Sequence, residues 1–159
     1  MSIATFFLSR TNRSGVIQGG PIGGSSLEKQ QQAKYKLDCR FNKTNLIERL
    51  NTIVQRRENI MVYNMDALDF LRMLPNNVFV YLDPPYYVKG KSLYMNHYKE
   101  KDHQQLANYL LNDAEFFWLL SYDDTLQIRE KYQALELYRF PLNYTVSTKR
   151  TGYELLTHS

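Results

Sequence analysis

The sequence predicts an α/β fold, and three observations carry that prediction. The first is an apolar run, Val78-Phe79-Val80-Tyr81-Leu82, stopped by Asp83-Pro84-Pro85-Tyr86. A run of that length with β-branched residues, ended by prolines, reads as a buried strand. The second is Phe116-Phe117-Trp118-Leu119-Leu120-Ser121-Tyr122, another apolar run of strand length in which Trp118 reads as core. The third is the order of elements. Helical patterns stand before and between these runs and short strands follow, as when helices pack on a sheet.

Taken in order, residues 6–8 are apolar and read as the end of a helix that begins upstream of Met1. Residues 19–24 hold four glycines and Pro21, a composition that forbids regular structure. No Gly-Lys-Ser/Thr follows, so this is no P-loop, and the glycine spacing is wrong for a dinucleotide fingerprint. The stretch reads either as a flexible loop or as one whose bare backbone approaches nucleic acid while Arg10 and Arg13 hold phosphates. Residues 34–43 alternate basic and other side chains in a strand-like way. Cys39, with no Cys or His at ligand spacing, reads as a packed thiol. Asn45, with Glu48 three residues on, predicts the cap of a helix whose apolar face is Leu46, Ile47, Leu50, Ile53 and Val54.

Residues 60–63 predict a short strand, and Asp66 predicts the cap of a helix over 67–74 that Pro75 follows. Asp102 predicts the cap of a helix through about Asn112, with Gln105 in capping-box position. Asp124 opens a further short helix. Residues 135–140, 144–147 and 153–157 read as late strands, with Lys149-Arg150-Thr151-Gly152 as the turn of a final hairpin.

The chain has 159 residues, 43% hydrophobic and 23% charged, which is one domain's worth with room for a core. A single cysteine excludes an internal disulfide framework and fits a reducing compartment. No stretch approaches the ~20 apolar residues of a membrane helix, and the start lacks the basic flank of a secretory signal. A soluble, cytoplasmic protein is expected, without a membrane partner. Three scattered histidines without a Cys or Glu cluster predict no metal site. The net charge of +4 is uneven: residues 1–57 carry ten Lys/Arg against three Asp/Glu, the rest ten against thirteen. A basic amino-terminal third suits a polyanion, although a solvated basic surface gives the same balance.

The chemistry gathers at Asp83. It precedes a proline and is pushed towards extended geometry, while Pro84 and Pro85 have no N–H, so the turn offers carbonyls without competing donors. In an open α/β sheet, ligands bind at the carboxyl ends of strands. The exocyclic amine of an aminopurine or aminopyrimidine is a poor nucleophile, because its lone pair is delocalised into the ring. Two acceptors, the Asp83 carboxylate and the Pro84 carbonyl, could take its hydrogens and draw the nitrogen towards tetrahedral geometry, with Tyr86 stacking on an extruded base. The plainer alternative is a strand followed by a proline turn with Asp83 merely exposed. After it, residues 87–101 interleave Tyr87, Tyr94 and Tyr98 with Lys89, Lys91, Lys99 and Lys101. That combination suits unpaired nucleic acid, and equally a surface loop with its tyrosines packed down.

Asp-Pro-Pro-Tyr after Val-Phe-Val-Tyr-Leu resembles the catalytic motif of the Dam-like, D12-class DNA adenine-N6 methyltransferases. The likeness extends over Phe6-Phe7-Leu8-Ser9-Arg10 with Ser14-Gly15, Arg40-Phe41-Asn42 and Asp66 through Phe70. It continues over Trp118-Leu119-Leu120-Ser121-Tyr122-Asp123 and Gly152-Tyr153-Glu154-Leu155-Leu156. The resemblance implies a single methyltransferase domain over 1–159 with a Rossmann-like sheet. A DNA-recognition subdomain would cover 9–57 and the catalytic sheet 58–159. It implies methyl transfer from S-adenosylmethionine to N6 of a flipped adenine in double-stranded DNA. Asp83, Pro84 and Tyr86 would be catalytic and Asp66 and Asp83 would face the cofactor. Arg10, Asn12, Arg13, Arg40, Asn42, Lys43, Lys89 and Lys91 would lie against DNA. The family's Phe-x-Gly-x-Gly cofactor motif should precede Phe6, where this chain has almost nothing. The expectation is therefore an amino-terminally truncated sheet that binds the cofactor weakly, completed by a missing segment or second chain. The competing expectations are a non-catalytic DNA-binding remnant and one subunit of a split methyltransferase.

Overall fold

The computed structural model of the protein describes residues 2–88, 98–144 and 150–159. The chain divides into two compact units, Met1–Tyr63 and Asn64–Ser159.

The first unit is helical. Helix α1 spans Ser2–Thr11, α2 spans Leu27–Gln32 and α3 spans Lys43–Gln55. The glycine-rich stretch between α1 and α2 is a closed loop held by hydrogen bonds. Arg13 N donates to Gly20 O and Ile22 N to Thr11 O, both at 2.9 Å, around a bridge between Asn12 and Pro21. The Gln30 amide of α2 donates to Ile22 O at 2.7 Å and accepts from Leu37 N at 3.0 Å. Gly23, at φ +82°, passes so close to the Tyr35 carbonyl that a Cβ would lie 2.9 Å from it, so the clamp needs glycine there.

The strand expected over 34–43 is absent. Its place is taken by turns closed by Cys39 N to Lys36 O and Phe41 N to Asp38 O, because alternating charges without an apolar face give a ladder nothing to bury. Cys39 is exposed rather than packed. Helix α3 starts before Asn45. Asn42 takes the extended cap geometry and its side chain accepts from Asn45 N at 3.0 Å. Of the expected apolar face only Leu46 is buried, and Ile47, Leu50, Ile53 and Val54 are exposed. Residues 60–63 are exposed and form no strand among the described residues, since an extended segment becomes one only by pairing.

The second unit is a four-stranded mixed sheet with helices, an α/β arrangement. Its elements are α4 Ala67–Arg72, β1 Phe79–Leu82, α5 Glu100–Asn112, β2 Phe117–Asp123, α6 Leu126–Lys131, β3 Tyr138–Tyr144 and β4 Arg150–His158. The sheet order is β1-β2-β4-β3, with β1 and β2 parallel and the other pairs antiparallel. Alternation sends Trp118, Leu120 and Tyr122 of β2 and Leu155 of β4 to one face. They join Leu71 of α4, Leu106, Ala107 and Leu110 of α5, Ile128 of α6 and Tyr132 in the core. Trp118 is core, as expected, with 2% of its surface exposed. The opposite face presents Phe79, Tyr81, Phe117 and Tyr138, all exposed.

Two further caps differ from the expectation. Asp102 sits one turn inside α5 and reaches back to Lys99 N at 2.7 Å, so the helix starts at Glu100. Thr125, not Asp124, caps α6 by accepting from Ile128 N. Asp124 is instead clamped between Arg129 and Arg139, which hold its carboxyl below the usual range, the Arg129 hydrogen bond most of all. The late strand expected over 135–140 is found as part of β3, of the one expected over 144–147 only Tyr144 lies among the described residues, and β3 runs through Pro141. That residue is tolerated because β3 is an edge strand. Arg150, Thr151 and Gly152 belong to β4 rather than to a turn, because Gly152 already pairs with Leu142. Residues 145–149 lie outside the described residues. Among the described residues no helix is long and apolar enough to cross a membrane.

Candidate active site

Asp83 follows the last residue of β1. Strand alternation puts it on the face of Tyr81, and parallel register puts it beside Ser121, one step beyond the pair Leu82 and Leu120. Ser121 is buried. Its hydroxyl lies 2.9 Å from the Tyr81 hydroxyl and donates to Asp83 Oδ1 at 3.3 Å.

The prolines carry the chain across to the end of β2. There the Asp123 carboxylate accepts from Tyr87 N at 2.8 Å and from Val88 N at 3.1 Å. Asp123 is 8% exposed, and charge-assisted bonds in such a place are the strong ones. Tyr86 donates its hydroxyl to Glu154 Oε1, on β4. Asp123 and Glu154 are opposite each other in the β2–β4 register, two buried carboxylates side by side. Each is satisfied by the proline turn, one by its backbone and one by its tyrosine, so the turn is fastened at two points.

Tyr87 fastens a third point. Its ring lies 5.0 Å from the His103 ring of α5, and His103 Nδ1 is 2.6 Å from the Tyr122 hydroxyl. A hydrogen bond to Glu100 raises the Tyr87 hydroxyl above its ordinary value, and burial does the same to Tyr122. Burial also lowers His103, which is therefore neutral near pH 7 despite the nearby Glu100 and Asp123 carboxylates.

Asp66 is the N-cap of α4, accepting from Leu68 N at 2.9 Å with Oδ1. Its charge reaches Tyr98, whose hydroxyl is raised first by burial and then by Asp66 and Asp102. Both belong to the second unit, with Asp83, Pro84 and Tyr86. Lys89 and Lys91 lie outside the described residues.

The remaining expected contacts are in the first unit, where the structure gives most of them internal work. The Arg10 guanidinium donates through Nε and Nη2 to Arg40 O at 3.1 and 3.0 Å, and Arg40 Nη2 donates to Asn12 O. Asn12 is buried and donates to Ile17 O at 2.7 Å. Asn42 caps α3. Arg13 and Lys43 are exposed.

Sequence reasoning gave no role to Tyr81, Ser121, Asp123 or Glu154. A signal was present: Ser121, Asp123 and Glu154 are polar residues inside or ending apolar strands, and buried polar groups require partners. Among the described residues no cluster of His, Cys, Asp and Glu is arranged to hold a metal.

Asp83 and the two prolines after it thus stand at the end of a parallel strand in an α/β sheet, held by side chains of β2 and β4. The model of the D12 class N6 adenine-specific DNA methyltransferases matches residues 2–146, and the chain belongs to that family. No curated protein matches the chain. The family's activity is adenine methylation in DNA.

Proposed function

We propose that this chain is a site-specific DNA adenine methyltransferase that acts on N6 of an adenine turned out of the duplex. The observation that carries the reading is the fastened Asp83-Pro84-Pro85-Tyr86 turn at the carboxyl end of β1. Asp83 and the Pro84 carbonyl accept hydrogen bonds from the two amine hydrogens, which returns lone-pair density to N6, and the proton that N6 loses on gaining the methyl group passes to the Asp83 carboxylate and on to solvent. Tyr86, its hydroxyl tethered to Glu154, stacks on the extruded base. Rigid acceptors cost no reorganisation at the moment of reaction.

S-adenosylmethionine, when bound, supplies the electrophilic methyl group. Its sulfonium and ammonium are cationic, and the Asp83 carboxylate suits them in charge, while Asp66 would face the adenine end of the cofactor. Pro84 and Pro85 offer no N–H for the cofactor's carboxylate. DNA recognition is assigned to residues 9–57 and catalysis to 58–159. Arg13 and Lys43 would contact phosphate directly, while Arg10, Asn12, Arg40 and Asn42 hold the shape that presents them.

A second reading concerns how the site is completed. Among the described residues β1 pairs only with β2, and Phe79 and Tyr81 are exposed beside its other edge. That edge favours a further strand, from another segment or a second chain, as the completion of the cofactor pocket. Cofactor affinity would then be low without it. The test is retention of DNA at low salt by Asp83→Ala beside the unaltered chain. Equal retention with methyl transfer lost supports the enzyme. Equal retention with no transfer by either leaves a DNA-binding module.

A further inference from the structure

We infer that Tyr81 and Ser121 form a directed hydrogen-bond relay that orients the Asp83 carboxylate for its amine, making both positioning residues for the reaction. The inference rests on the methyl-transfer reading of the site and adds residues to it.

Proton counting fixes the direction of the relay. The Asp83 carboxylate only accepts, so the single hydroxyl proton of Ser121 is committed to Asp83 Oδ1. The contact of 2.9 Å between the Ser121 and Tyr81 hydroxyls then has one donor left, the Tyr81 phenol. The chain of bonds runs from Tyr81 Oη to Ser121 Oγ to Asp83 Oδ1. Ser121 is 3% exposed and its backbone is held in the β2 ladder against Leu156, so only its side-chain rotamer is left to set, and the bond from Tyr81 sets it. Tyr81 and Asp83 are exposed and depend on it.

The consequence is geometric. An exposed aspartate samples several rotamers. With Oδ1 held, Asp83 has one orientation and Oδ2 is the oxygen presented to the amine. The relay follows from the fold, because Tyr81 of β1, Asp83 two residues on and the adjacent position of β2 share one face at the strand's carboxyl end.

The experiment compares the full chain with Ser121→Ala, Ser121→Thr and Tyr81→Phe, by crystal structure and by methyl-transfer kinetics. The expected result is one Asp83 rotamer in the unaltered chain and in Ser121→Thr, and more than one in the other two. In kinetics, kcat falls roughly ten- to a hundredfold in Ser121→Ala and Tyr81→Phe while KM for DNA holds, and Ser121→Thr restores it. The double variant Ser121→Ala/Tyr81→Phe should lose no more than Ser121→Ala alone, because both act through one carboxylate. Tyr81 is 58% exposed, so its variant folds even if Ser121→Ala does not. Asp83 keeping one rotamer in Tyr81→Phe, or kcat unmoved in it, overturns the inference. If the unaltered chain transfers no methyl, the functional reading fails, and the rotamer comparison still decides the relay by itself.

Discussion

Replacing Asp123 by alanine removes both backbone bonds that carry the proline turn onto β2. A hydrogen bond to a charged group contributes about 1.5–3 kcal/mol. The bond to Tyr87 N, 2.8 Å long and half-buried, keeps most of that value. The bond to Val88 N is 3.1 Å long, and Val88 is exposed, so water replaces much of it. The expected loss is therefore roughly 2–4 kcal/mol. The chain has one tryptophan, Trp118, buried in the core of the second unit, so its fluorescence reports the unfolding of that unit alone. With a urea slope of about 2 kcal/mol/M, the midpoint should fall by roughly 1–2 M. Asp123→Asn keeps one acceptor oxygen and should fall about half as far. A midpoint within ~0.3 M of the unaltered chain in Asp123→Ala would refute the claim that this carboxylate fastens the turn.

Acid stability depends on His103. Burial lowers its folded value below the ordinary 6.5, so the unfolded chain takes a proton first as pH falls. Stability is full above about pH 6.5, declines below it and levels once the folded imidazole charges; Trp118 melts at pH 7.5 and 5.5 should differ, and His103→Gln should shrink the difference. Glu100, lowered chiefly by its hydrogen bond to Lys131, contributes only at more acid pH, below its ordinary 4.5. In DNA binding, Arg13→Ala and Lys43→Ala should each reduce the salt slope of log K by about 1 without lowering the melting temperature. Arg40→Ala should destabilise the first unit, seen by helical circular dichroism, because its guanidinium bridges to the Asn12 carbonyl. Asn42→Ala removes the α3 cap and should cost about 1 kcal/mol by the same signal.

The legible parts of the fold were those in which a residue's neighbours in sequence decide its state. Val78 to Leu82 and Phe116 to Tyr122 are apolar, of strand length, and form β1 and β2. Ile60 to Tyr63 has the same composition and forms no strand among the described residues, because a ladder needs a partner that local sequence does not name. Asn42 and Asn45 are equally good caps by residue type, and backbone geometry, not composition, selects Asn42. The site divides the same way. The acceptors of the proline turn are contiguous and could be read directly. The groups that fasten it are 36 residues away for Asp123 and Tyr87, 38 for Ser121 and Asp83, and 68 for Glu154 and Tyr86. Only the parallel pairing of β1 with β2 and the return of β4 bring them together.

The most direct measurement is transfer of labelled methyl from saturating S-adenosylmethionine to unmethylated DNA, with the product bases separated, by the chain and by Asp83→Ala. The expected result is label on N6 of adenine that vanishes with the substitution. Label that survives Asp83→Ala, label on another base, or none from either protein at any concentration would contradict a catalytic role for the turn at the end of β1.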